Sequence, residues 1–128
     1  MIGCDKFCTY CIVPKVRGPE QSRNPAHILT EVRKLADEGC REVTLIGQTV
    51  NSYRDPIGAI GWADVPGADP EDPDESVFAG LLRRLARDVP GLRRLRYTSP
   101  HPRHLTPSLV LAHRDLGILP RHVHLPVQ

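Results

Sequence analysis

Glu42-Val43-Thr44-Leu45-Ile46-Gly47-Gln48 is the stretch on which the fold turns. A short β-type run ends at a glycine and leads into a polar segment, the pattern of a strand. Upstream, Asn24 followed by Pro25 reads as a helix N-cap and first helical position. Ile28, Leu29, Val32, Leu35 and Ala36 then recur at helical spacing, and Gly39 stops the helix. Downstream, residues 54–75 are crowded with Pro, Gly and Asp, which suits a long flexible loop and no regular element.

The alternation continues beyond that loop. A second helix is expected over 76–88, with Phe78, Leu81, Leu82, Leu85 and Ala86 on one face and Arg83, Arg84 and Arg87 mostly on the other. Pro90-Gly91 ends it. A second strand is expected over 92–98, followed by Ser99-Pro100-His101-Pro102. Thr106-Pro107 caps a third helix carrying Leu109, Val110 and Ala112, and a third strand is expected over 121–125. Helix and strand in alternation predict an α/β fold of three parallel strands with crossover helices. Three such strands cannot close on each other, so the expectation is an incomplete (β/α) barrel.

Size and composition fit one domain. The chain has 128 residues, 40% of them hydrophobic and 25% charged, with a formal net charge of +2. That balance marks out neither a disordered protein nor a nucleic-acid-coating one. The longest apolar stretch is far below the roughly 20 residues that span a bilayer, and Met1-Ile2-Gly3-Cys4 has no signal-peptide pattern. No membrane association and a cytoplasmic location are therefore expected, and cysteines in such a chain are metal ligands or free thiols before they are disulfides.

Cys4-Asp5-Lys6-Phe7-Cys8-Thr9-Tyr10-Cys11 spaces three thiols as C-x-x-x-C-x-x-C. Three thiolates this close on one loop suit a compact metal centre, and a four-iron cluster held by three of them keeps one iron open to a ligand. A zinc site is the other reading, but the nearest histidine, His27, lies outside usual zinc spacings. Cys40 follows a helix stop and reads as structural packing.

The run from Gly3 to Pro14, with Arg17-Gly18 and Ser22-Arg23 after it, resembles the start of the radical S-adenosylmethionine (SAM) domain of the methylthiotransferase family. Leu45 to Tyr53, Thr98-Ser99-Pro100-His101-Pro102 and His124-Leu125-Pro126-Val127-Gln128 resemble later motifs of that family in the same order. The Cys4-Asp5-Lys6-Phe7-Cys8 and Gly47-Gln48-Thr49-Val50-Asn51 wording is most similar to the branch that methylthiolates isopentenyladenosine beside the tRNA anticodon. Other branches act on threonylcarbamoyladenosine or on a ribosomal-protein aspartate.

The resemblance implies that Cys4, Cys8 and Cys11 hold a [4Fe-4S] cluster whose open iron chelates SAM. Reductive cleavage of SAM then yields a 5'-deoxyadenosyl radical that takes hydrogen from the adenine ring before methylthio insertion. It also implies roles in binding SAM for Tyr10, between the last two cysteines, and for Gly47 and Gln48 at a strand end. Ser99, His101, His124 and Gln128, after later strands, would join them. That placement accords with the active-site end of parallel α/β barrels. Lys6, Lys15, Arg17 and Arg23 around the loop are candidates for RNA phosphates, whereas the arginines at 83, 84, 87, 93, 94 and 96 read as solvated surface.

Implied partners are tRNA as substrate and an electron donor such as flavodoxin or ferredoxin. Full-length relatives carry an N-terminal domain with a second [4Fe-4S] cluster and a C-terminal barrel that grips tRNA. Neither has a counterpart here, so residues 1–128 are expected to be a partial radical SAM core. Two readings stay open: a piece of an enzyme completed by adjacent sequence or a complementing chain, and a non-catalytic relic that at most binds a cluster.

Overall fold

The computed structural model describes residues 1–125. In chain order the elements are α1 (Val13–Arg17), α2 (Pro25–Asp37), β1 (Glu42–Leu45), α3 (Phe78–Asp88), β2 (Arg94–Tyr97) and α4 (Pro107–Asp115). The two strands pair in parallel, with Glu42 opposite Arg94 and Leu45 opposite Tyr97. A parallel pair needs a long crossover connection, and α3 is its helix.

The hydrophobic periods decide which faces meet. Phe78, Leu81, Leu82 and Leu85 of α3 are all but inaccessible and pack with Val32 and Ala36 of α2, Leu95 and Tyr97 of β2, and Leu109 and Ala112 of α4. The Phe78 and Tyr97 rings meet edge to face at 5.2 Å, the arrangement their quadrupoles favour. Alternation along the strands turns Glu42, Arg94 and Arg96 to the opposite face. There the Glu42 carboxylate pairs with Arg96 at 2.7 Å and Arg94 at 3.2 Å. Val43 and Leu45 are only half-buried, because the outer edge of β1 has no neighbouring strand among the described residues. An apolar groove lined in part by Met1, Ile28, Leu35, Val43 and Leu45 runs there.

The structure corrects the expected third strand. Residues 121–125 form no ladder, so the described sheet has two parallel strands where three were expected. Leu95 N–H does reach the Ile118 carbonyl at 2.9 Å, so the segment after α4 touches the outer edge of β2. Two residues later Pro120 has no N–H to offer, and the pairing stops.

The breaker-rich segment 54–75 holds one 3-10 turn, Trp62–Asp64. Its irregular backbone is tied down locally, as the Asp55 carboxylate accepts from the N–H groups of Ile57 and Ile60. Ile60 and Val65 are buried against α3 at Gly80, where a Cβ would lie 2.6 Å from the Ile60 side chain. Among the described residues no helix is long and apolar enough to cross a membrane.

Candidate metal centre

The cysteine loop is closed at its neck by backbone pairing. Ile2 and Gln21 exchange hydrogen bonds of 3.1 and 2.7 Å, and Cys4 N–H donates to the Gly18 carbonyl at 3.1 Å. The strands of this neck cross so closely that Gly3, at φ +76°, has no room for a side chain; a Cβ would sit 2.0 Å from the Pro19 oxygen. Within the loop, Cys11 N–H donates to the Cys8 carbonyl at 3.1 Å. Helix α1, with Pro14 in its first turn and Gly18 after its end at φ +72°, returns the chain to the neck.

Buried polar ties lock this loop to the body. Glu20 accepts from the Thr49 hydroxyl at 3.0 Å and from the Ser52 hydroxyl, and the Tyr53 hydroxyl donates to the Arg23 carbonyl at 2.7 Å. The turn after β1 is in turn stitched to the turn after β2 by Asn51, which is 1% exposed. Its side chain accepts from His101 N–H at 2.7 Å and donates to the carbonyls of His101 and His104 at 3.0 and 2.9 Å.

The result is one cavity of about 290 Å³ at the C-terminal ends of the two strands. Cys4, Cys8 and Cys11 line it together with Lys6, Gln48, Thr49, Ser99 and His101. Cys4 is buried, Cys11 half-buried and Cys8 exposed. Lys6 N–H donates to Cys4 Sγ at 3.4 Å. Burial first, and then the Lys6 charge, lowers the His101 pKa from its ordinary 6.5, so the neutral ring predominates at pH 7. Ser99 adopts φ +57°, the only non-glycine positive φ among the described residues.

The donor set is three thiols from one loop. Three thiols face one cavity, yet no group of three or more His, Cys, Asp or Glu among the described residues converges tightly enough to hold a single metal ion. Three thiols on one loop can serve as the ligands of a sulfur-bridged iron cluster that keeps one iron open. Cys40 lies apart, its thiol against the Glu42 carbonyl at 3.1 Å.

Other residues singled out by sequence lie elsewhere. Tyr10 projects outward, 78% exposed, and Gly47 lies beside the Met1 side chain. His124 lines a different cavity, with Thr44, Arg96, His113 and His122, while Gln128 lies outside the described residues. Lys15 and Arg17 are exposed on α1, but Arg23 is paired with Glu31 at 2.6 Å. Asn51, Glu20 and His104, which do much of the positioning, were not singled out from sequence; the clue to Asn51 was its place in the polar run after β1.

The whole chain, residues 1–128, matches the Radical SAM superfamily. It is 67% identical over all of its length to the tRNA-2-methylthio-N(6)-dimethylallyladenosine synthase of Sorangium cellulosum (strain So ce56), of which it covers 25%. The protein of the same name from Acidithiobacillus ferrooxidans (strain ATCC 53993 / BNL-5-31) is 52% identical over 126 residues, 98% of this chain and 25% of that protein. The chain thus spans about a quarter of the length of the curated relatives it matches.

Proposed function

The chain belongs to the radical SAM superfamily, and from that premise we propose that it supplies the cluster- and SAM-binding part of a tRNA methylthiotransferase acting on isopentenyladenosine beside the anticodon. The observation that carries this reading is the meeting of Cys4, Cys8 and Cys11 with Gln48, Ser99 and His101 in one cavity at the strand ends. The 67% identity to a relative named for that nucleoside supports the choice of substrate.

When bound by the three thiolates, a [4Fe-4S] cluster with SAM would supply the reductive cleavage from which such chemistry starts. The chain's own residues bind and orient. Cys4, Cys8 and Cys11 are the ligands, and Lys6 N–H donates to the Cys4 sulfur. Gln48 and Ser99 offer uncharged polar groups to SAM, and neutral His101 adds a ring nitrogen without adding charge beside a sulfonium. Tyr10 and Gly47 are further candidates for contact with SAM, although neither lines the cavity. Lys15 and Arg17 give the loop a positive flank for RNA phosphates, and the exposed loop receives a flavodoxin or ferredoxin.

In this reading residues 1–128 are part of a (β/α) barrel. The sulfur-donating second cluster and the module that grips tRNA come from the rest of the polypeptide or from a complementing chain, in the cytoplasm. The test is anaerobic incubation of the intact protein with SAM, a low-potential reductant and tRNA bearing isopentenyladenosine. Formation of 5'-deoxyadenosine and the methylthiolated nucleoside is expected. An iron-loaded protein that leaves SAM intact overturns the reading, and product only on threonylcarbamoyladenosine or a ribosomal-protein aspartate moves it to another branch.

A further inference from the structure

Lys6 sits between two cysteines of an otherwise exposed loop, where a lysine ordinarily extends into water. Here it is half-buried, and its Nζ lies 2.8 Å from Nε2 of His104, a residue 98 positions further on. The other ring nitrogen, Nδ1, lies 2.6 Å from the Asp74 carbonyl. A carbonyl oxygen only accepts, so Nδ1 carries the ring proton and Nε2 presents a lone pair to the lysine. His104 is 6% exposed, stands edge-on to His101 at 5.9 Å, and has its carbonyl held by Asn51. The ring is therefore a fixed seat that orients the Lys6 ammonium and brings no negative charge to cancel it.

An ammonium has three donors and His104 takes one. No carboxylate pairs with Lys6 among the described residues, and no acidic residue lines the cavity into which it faces with the three cysteines. A half-buried cation with donors to spare is a binding site for an anion. SAM, a sulfonium, has one anionic group, the carboxylate of its methionine half. RNA phosphates have the exposed Lys15 and Arg17 outside the cavity.

We infer that Lys6 binds the SAM carboxylate within the cysteine cavity and that His104 is the positioning residue that holds Lys6 there; this rests on the SAM-binding reading above. The experiment measures dissociation constants for SAM and for decarboxylated SAM on the reconstituted holoprotein at matched iron content. Lys6→Met is expected to weaken SAM roughly tenfold or more while leaving the decarboxylated analogue unchanged. Lys6→Arg restores most of the preference, and His104→Gln reduces it severalfold.

Equal weakening of both ligands, no weakening of SAM, or a loss confined to tRNA affinity overturns the inference. A lysine that merely balanced thiolate charge would alter iron retention and not this preference. If Lys6→Met fails to load iron, the comparison is made in His104→Gln, where an unchanged preference overturns it. Absence of iron or SAM binding in the unsubstituted protein overturns the underlying reading instead.

Discussion

Asn51 and His101 clasp each other across the end of the sheet: Asn51 Oδ1 accepts from the His101 N–H at 2.7 Å, and Asn51 Nδ2 donates back to the His101 carbonyl at 3.0 Å. The same amide group also reaches the His104 carbonyl. This clasp sets the turn after β1 beside the turn after β2, and so brings Gln48 and His101 into the cavity of the cysteines.

Asn51→Ala leaves the His101 N–H and the His104 carbonyl without their partner, while the His101 carbonyl keeps only the His104 N–H. A destabilisation of about 2–4 kcal/mol is expected, measured by urea unfolding. A change below about 0.5 kcal/mol would contradict the role given to the clasp.

The neck of the loop rests on Gly3. Gly3→Ala combines a left-handed φ of +76° with a Cβ 2.0 Å from the Pro19 oxygen, so the neck must open. Iron release to a chelator should accelerate markedly. Gly18→Ala is the control, because φ is +72° but nothing lies within 4 Å of the new methyl. It should cost about 1–3 kcal/mol through backbone strain alone and accelerate iron release less than Gly3→Ala does. Equal effects of the two substitutions would sink the close-crossing explanation.

Replacing a glycine in a helix by alanine ordinarily stabilises. At Gly80 the sign should reverse by about 1–3 kcal/mol, because the methyl meets Ile60 at 2.6 Å and Val65 at 2.9 Å. A thermal melt of Gly80→Ala checks this, and a raised Tm would mean that residues 60–65 are not anchored on α3.

Helices α2, α3 and α4 were legible in sequence because their apolar residues repeat at helical spacing, and Asn24-Pro25 marked the start of α2; α1, five residues long, is too short to show a period and was not expected. Strands β1 and β2 were legible as β-type runs between helices, each observed slightly shorter than expected. The run at 121–125 carries the same signal, but Pro120 withholds the donor that would join it to β2. At the site, the thiol spacing and the strand-end rule singled out six residues that line the cavity: three cysteines, Gln48, Ser99 and His101. Glu20, Asn51 and His104 stayed hidden because single buried polar residues have no period, and their partners lie about 30 to 100 positions away.

His113 supplies a pH prediction. Burial lowers its pKa from the ordinary 6.5, and its Nε2 lies 2.6 Å from the Tyr97 hydroxyl. That hydroxyl, pushed up to about 12 by burial, stays protonated and donates to the neutral ring. The unfolded chain therefore binds more protons than the folded one as pH falls through 6.5, and folding stability declines below that pH. The lowered His101 adds with the same sign. His113→Gln should show a smaller loss of Tm between pH 7.5 and 5.5 than the parent; an identical loss would contradict the assignment.

The central claim is that Cys4, Cys8 and Cys11 together hold a [4Fe-4S] cluster. Its most direct test is iron and sulfide content after anaerobic reconstitution, compared between the parent and the Cys4→Ala, Cys8→Ala, Cys11→Ala triple variant. The account predicts a loss of about four irons per chain, with the accompanying visible absorption, and no loss in Cys40→Ala. Unchanged iron in the triple variant, or tightly bound zinc in the parent, would contradict it.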